Sequence, residues 1–203
     1  SGNGLAQLIP LLLYPVIAAK NYHDLPTTFQ VSIPELKISN FDFLSAYYSR
    51  NLRFQDLVLN EPKIQIYSQP GTFKTLELKK YQFPLPAFIR LLQLKEFRIN
   101  NGKVLTFETH GINHRARSSF KVDLSIPGLT LSNSGKKQSQ LKTDNLILNI
   151  TDFKAPLGDT HNISVDQIIF NRNHKKVAVN NLTVKPFLSD NSGNRFTIDA
   201  PGI

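Results

Sequence analysis

The 203-residue chain has no cysteine, no methionine and no tryptophan. Without cysteine there can be no disulfide framework, no thiolate metal site and no cysteine nucleophile. Acidic residues are scarce as well, 15 against 24 lysines and arginines, and no pair of carboxylates is placed for glycosidase chemistry. No glycine-rich phosphate loop occurs, and no serine sits in a nucleophile elbow. The most apolar run, Leu5 to Ala19, falls short of the roughly 20 residues of a membrane span, and Pro10 and Pro15 interrupt it. It also lacks the basic start of a signal peptide. Residues 1–26 therefore read as an apolar lead-in, a broken helix or a segment packed on the core. The opening Ser-Gly-Asn-Gly reads as the start of a piece taken from a longer protein, whose signal or anchor lies outside the chain.

Histidine offers little more. His110 and His114 have the i, i+4 spacing of a helical metal pair, but Gly111 and Asn113 between them indicate a hairpin tip, and no metalloprotease glutamate follows. Asp159 beside His161 reads as loop polarity. The net charge of +9 favours an anionic partner such as nucleic acid, a phospholipid surface or lipopolysaccharide. The cations are scattered, however, with local groups only at Lys79-Lys80, Arg115 to Lys121, Lys136-Lys137 and Lys175-Lys176. That pattern reads as solubilising charge, with a functional basic face as the alternative. No RNP-like motif or recognition helix is present, so a nucleic-acid partner is not expected.

What the chain does have is a recurring octet. Asn51 to Tyr67 contains Leu52, Phe54, Leu57 and Leu59, apolar at i, i+2, i+5 and i+7 around the polar pair Gln55-Asp56. Alternation with period two places Leu52 and Phe54 on one face of a strand. One extra residue, a β-bulge at Gln55 and Asp56, returns Leu57 and Leu59 to that face and bends the strand. The octet recurs as Val31, Ile33, Leu36 and Ile38; Leu92, Leu94, Phe97 and Ile99; Leu124, Ile126, Leu129 and Leu131; Ile163, Val165, Ile168 and Phe170; and Val177, Val179, Leu182 and Val184. A further copy, Leu141, Thr143, Leu146 and Leu148, carries one substitution. Composition alone gives about two full matches by chance; the chain has six.

Two stretches read as short helices feeding strands. One runs from Ser39 to Arg50, capped by Ser39 or Asn40, and the other from Pro84 to Leu92. Pro62 breaks the strand that follows the first, and Ile64 and Ile66 resume it. Leu52 to Tyr67 aligns without gaps on Leu92 to Phe107, with Pro62 over Gly102 and Ile64 over Val104. A 40-residue repeat explains this. From Asn113 onward the pattern predicts a meander with strands near 114–125, 127–133, 138–150, 161–170, 175–185 and 195–199.

The unit of short helix, L-x-h-x-x-L-x-L strand and N-x-P-x-I-x-I strand resembles the AsmA-like family of bacterial cell-envelope proteins. Phe41 to Tyr48, Leu52 to Leu59, Pro62 and Ile64 to Ile66 carry the likeness, and the second copy has Gly102 in place of the proline. The resemblance implies a β-taco, a long sheet folded into a half-pipe whose apolar groove conducts phospholipid between two membranes. It further implies a periplasmic protein anchored in the inner membrane and a role in outer-membrane biogenesis. The anchoring helix of that family is not in this chain.

The expectation is thus one AsmA-like all-β domain over 1–203 with a few short helices, its bent antiparallel sheet open as a half-pipe; the alternative is a closed β-sandwich serving as an interaction or scaffold module. It is non-catalytic and needs no cofactor. Its partner is phospholipid or another acyl-chain lipid, and the membrane is reached through parts outside the chain. The octet side chains named above, other than Leu129, Leu131, Leu141 and Thr143, act collectively as groove lining, together with Ile64, Ile66 and Val104.

Overall fold

The computed structural model describes residues 5–8, 11–13, 27–70, 88–110, 113–133, 139–158, 160–186 and 198–202. Their order is β1 (Leu5–Leu8), β2 (Leu11–Leu13), β3 (Thr27–Ile33), β4 (Glu35–Ser39), α1 (Phe43–Ser49), β5 (Asn51–Asn60), β6 (Lys63–Ser68), β7 (Leu91–His110), β8 (Asn113–Asn133), β9 (Ser139–Lys142), β10 (Ile147–Leu157), β11 (His161–Asn171), β12 (Lys176–Pro186) and β13 (Ile198–Gly202). All thirteen strands belong to one sheet. They occupy nine lanes, because β1 with β2, β3 with β4, β5 with β6 and β9 with β10 each share one interrupted lane. Pro34 and Pro62 cause two of these interruptions, since a proline cannot donate to a ladder.

The sheet is open. Among the described residues β1 pairs only with β4 and β13 only with β12, so the two edges of the sheet do not meet. Every extensive contact between elements joins hydrogen-bonded neighbours, except that α1 packs on β5. No second layer closes over the strands among the described residues, which rules out the closed sandwich.

The parallel pairing of β5 and β6 with β7 exposes the repeat. Each partner pair, from Asn51 with Leu91 to Ser68 with Glu108, is offset by 40 residues. The two copies lie side by side in register, and their matching residues touch. Asn100 Nδ2 donates to Asn60 Oδ1 at 2.9 Å, an asparagine rung between copies. Gly102 faces the buried Pro62, and a Cβ there would come within 3.0 Å of Ile99 and Val122 and 3.3 Å of the Pro62 ring. Two bulky residues do not fit that rung, so one copy carries proline and the other glycine.

The octets are bent, but not as isolated bulges. Phe54 pairs with Leu94 and Leu57 with Phe97; Leu94 pairs with Leu129 and Phe97 with Ile126, all without a register shift across the polar pair. The extra residues Gln55, Lys95 and Gly128 lie opposite one another, so three lanes kink together. Asp166 and Asn181 form a similar row between β11 and β12. True two-against-one bulges occur where a kink stops: between Ile99 and Gly102 on β7 against β8, and between Thr151 and Lys154 on β10 against β8. Asn101 and Asp152, at φ +53° and +55°, are the residues that open them.

Gly128 sits at φ +63°, and a Cβ there would land on the Asp144 carboxylate. Gly128→Ala is expected to destabilise the chain by about 1–2 kcal/mol from the left-handed backbone alone. Chemical denaturation of the two proteins checks it.

Several expected boundaries move. The 114–125 and 127–133 segments are one strand, β8, because the Pro127-Gly128 kink keeps its register. The Leu141 to Leu148 octet is instead split into β9 and β10, with Leu146 in the connection. Leu5–Leu8 and Leu11–Leu13 are strands along the β3/β4 lane rather than parts of a broken helix, since edge pairing satisfies their backbone. Of the helix expected over 84–92, residues 84–87 lie outside the described set. Phe88, Ile89 and Arg90 are not helical and Leu91 already begins β7, whose pairing with β5 overrides helical spacing.

Candidate functional site: an uncovered apolar face

Because paired residues share a face, the register tables place the octets on one side of the sheet. Leu36, Leu59, Ile99, Leu124, Leu148, Phe170 and Val177 follow one another across seven lanes, each paired with the next. At about 4.8 Å per lane this row is roughly 29 Å long, close to the hydrocarbon core of a bilayer.

Shorter rows flank it on the same side. Ile38, Leu57, Phe97 and Ile126 form one, and Val122, Ile150, Ile168 and Val179 another. Val31, Ile64, Val104 and Phe120 form a third, and the Phe120 ring meets Phe153 at 6.0 Å. Phe153 continues to Val165 and Leu182, and Ile163 pairs with Val184. Leu52, Leu92, Leu131 and Leu141 run along one margin, with Phe54, Leu94 and Leu129 beside them. Phe29 and Ile66 pair at the other.

Burial shows how little covers this face. Among the described residues only Ile33, Pro62, Ile89, Leu94, Val104, Val122, Leu131, Val165 and Val184 are buried apolar side chains. Of the sequence-predicted lining residues, Ile33, Leu94, Val104, Val165 and Val184 are therefore enclosed, and Val177 is exposed. The others are half-buried by their strand neighbours. A globular domain of this size encloses its apolar residues in one core, and here they form a surface.

The opposite face is mixed, with Val58, Leu105, Ile147, Ile169 and the stacked Tyr67 and Phe107 rings set among polar rows. Lys63, Lys103 and Lys121 stand side by side on β6, β7 and β8. The Lys121 ammonium meets Asp152 at 2.8 Å, which lowers the Asp152 carboxyl and raises Lys121 from their ordinary values. Gln167 bridges Asn149 and Asn180 at 3.1 and 3.0 Å. Asp56 and Glu96 lie opposite each other, with Arg98 between them at 3.6 and 3.4 Å.

The two margins differ in chemistry. At the β7–β8 hairpin, Ser68 and Glu108 are buried, Glu108 is ion-paired to Arg117, and His110 lies 3.7 Å from it. The paired Thr106 and Ser118 hydroxyls add a 2.6 Å hydrogen bond. The other margin carries α1. Its cap is Asp42, not Ser39 or Asn40: the carboxylate accepts from the Ser45 amide at 3.0 Å, and this bond holds its pKa below the usual aspartate value. A depressed carboxyl stabilises above its unfolded pKa, and that contribution is lost as pH falls through the folded value. The Ser45 amide should therefore lose exchange protection in acid, and Asp42→Asn, which keeps a cap without the charge, should remove that pH dependence.

An open cleft of about 750 Å³ lies at the first kink row, lined by Arg53, Phe54, Leu94, Lys95, Gly128 and Asp144 among others. A second of about 430 Å³ lies between β7, β8 and β10, with Arg115, Arg117 and Lys154 in its wall. The second cleft also holds the Thr106, Ser118 and Ser119 hydroxyls. His110 and His114 end up on the two arms of the hairpin, and no group of three or more metal-ligating side chains occurs among the described residues. His161 is buried beside Thr160; Asp159 lies outside the described residues. Among the described residues no helix is long and apolar enough to cross a membrane. No protein-family model matches this chain, and no curated protein matches it.

Proposed function

We propose that the chain is a non-catalytic segment of a cell-envelope protein that binds acyl chains on its apolar face and lets phospholipid pass along it between membranes. The observation that carries this reading is the unbroken seven-residue row, over which no second layer lies among the described residues. Exposed apolar surface of this extent calls for a partner. At about 0.8 kcal/mol per buried methylene, an acyl chain laid along the row is held without any directional group. Such burial is indifferent to position along the row, so a bound chain can slide.

The AsmA-like resemblance of the octets points the same way and supplies the setting: a periplasmic bridge, anchored through other parts of the protein and serving outer-membrane biogenesis. Native mass spectrometry of the purified chain tests the reading. Phospholipid should accompany the protein and be released by detergent. A lipid-free chain that also fails to take up phospholipid from vesicles defeats it.

A further inference from the structure

Helix α1 is inside out. Its small residues Ser45 and Ala46 turn toward the sheet, while Phe43, Leu44, Tyr47 and Tyr48 are between 69% and 81% exposed. Phe88, the counterpart of Tyr48 in the 40-residue repeat, is 67% exposed nearby on the chain that joins Arg50, where the Arg90 amide donates to the Arg50 carbonyl at 2.9 Å. Helix formation alone does not require four bulky residues facing water, and the short helix keeps its place by other means. Asp42 caps it, Arg50 closes it in the left-handed conformation, and the Asp42 amide donates to the Arg53 carbonyl at 3.1 Å.

Two further observations say what this patch meets. Charge is the first: segments 40–54 and 88–95 carry Arg50, Arg53, Arg90 and Lys95 against one acid, Asp42, and all four cations are exposed. Phenylalanine and tyrosine interleaved with arginine match the interfacial layer of a bilayer with anionic headgroups. Continuity is the second. Phe43 packs edge-on against Phe41 at 4.4 Å, and Phe41 stacks on Phe54 at 4.9 Å. Phe54 belongs to the apolar face, beside the fully buried Leu94. An aromatic ladder thus runs from the outer surface of α1 to the apolar face of the sheet.

We propose that the α1 margin docks on an anionic phospholipid surface, so that acyl chains reach the apolar face through the Phe43, Phe41 and Phe54 rings. This deepens the lipid reading and rests on it for what happens after docking. The docking itself is read separately. Since the chain has no tryptophan, Tyr48→Trp provides a single reporter. With phosphatidylethanolamine/phosphatidylglycerol vesicles its emission should shift to the blue; with phosphatidylcholine vesicles it should shift little.

In vesicle flotation, Tyr47→Ser with Tyr48→Ser should weaken binding by about tenfold or more. Arg50→Asn with Arg90→Gln should weaken it by about fivefold per arginine at low salt, asparagine being chosen because it tolerates the left-handed cap. Unchanged flotation of the tyrosine variant, or vesicle binding without a spectral shift, overturns the proposal. So does sedimentation showing that the tyrosine variant merely dissociates a dimer while still binding vesicles, which makes the patch an interface between copies. If docking fails and the chain still carries lipid, the function proposed above survives; if docking holds and no lipid is ever carried, that function falls and the membrane contact remains.

Discussion

Replacing Leu124 with glutamate is expected to strip the purified chain of phospholipid by about tenfold to a hundredfold, as read by native mass spectrometry. Leu124 stands in the middle lane of the seven-residue row, between Ile99 and Leu148. It is half-buried, so a carboxylate there keeps access to water in the lipid-free protein and the fold survives. An acyl chain lying across it would desolvate the charge, and an ionised side chain in a hydrocarbon setting costs about 2.5–3.5 kcal/mol or more. Thr130→Glu is the control: Thr130 lies on the other face, paired with Gln93 and Lys142, and lipid loading should not change. Equal loss in both variants points to a general effect of added charge and contradicts the row.

The largest effect on stability is expected at Leu94. It is 2% exposed, flanked by Phe54 and Leu129 on the neighbouring lanes. Leu94→Ala removes a fully enclosed side chain at a kink that three lanes share, and the rigid ladder on both sides limits collapse into the cavity. The expected loss is about 2–5 kcal/mol, measured by urea denaturation. Leu141 occupies the same face at the margin but is 53% exposed, and Leu141→Ala should fall within about 0.5 kcal/mol of the parent. The contrast follows from an open sheet: depth within it, not hydrophobicity, decides what a leucine contributes.

Much of this architecture can be read from the sequence, for a specific reason. Period-two alternation with one extra residue survives in six octets, and a strand with one apolar face has few ways to satisfy it. The 40-residue self-alignment was equally visible. What it could not show is that the two copies lie against each other in parallel, since self-similarity says nothing of spatial neighbourhood. Read from the sequence alone, the kinks look like bulges for the same reason. Whether an extra residue at Gln55 slips the register depends on its partner, and only pairing shows that Lys95 and Gly128 carry the matching one.

At α1 the spacing of Phe43, Leu44, Tyr47 and Tyr48 correctly marks a helix with one apolar stripe. Periodicity finds a stripe without saying which way it faces, and here it faces outward. Around Leu146 the octet pattern continues through Asp144 and Asn145 while the strand does not: the Asp144 amide turns to the Pro127 carbonyl at 3.1 Å. The continuity of the apolar row across lanes is a property of pairing alone, and no single strand contains it.

The most direct test is a site-by-site photocrosslinking scan, with a diazirine amino acid placed in turn at 52, 53, 54, 57, 58 and 59 of β5 and the chain loaded with radiolabelled phospholipid. The apolar-face account predicts lipid adducts at 52, 54, 57 and 59 and little at 53 and 58, the alternation skipping one residue at the kink. Adducts at every position, at none, or with the phase reversed would contradict it.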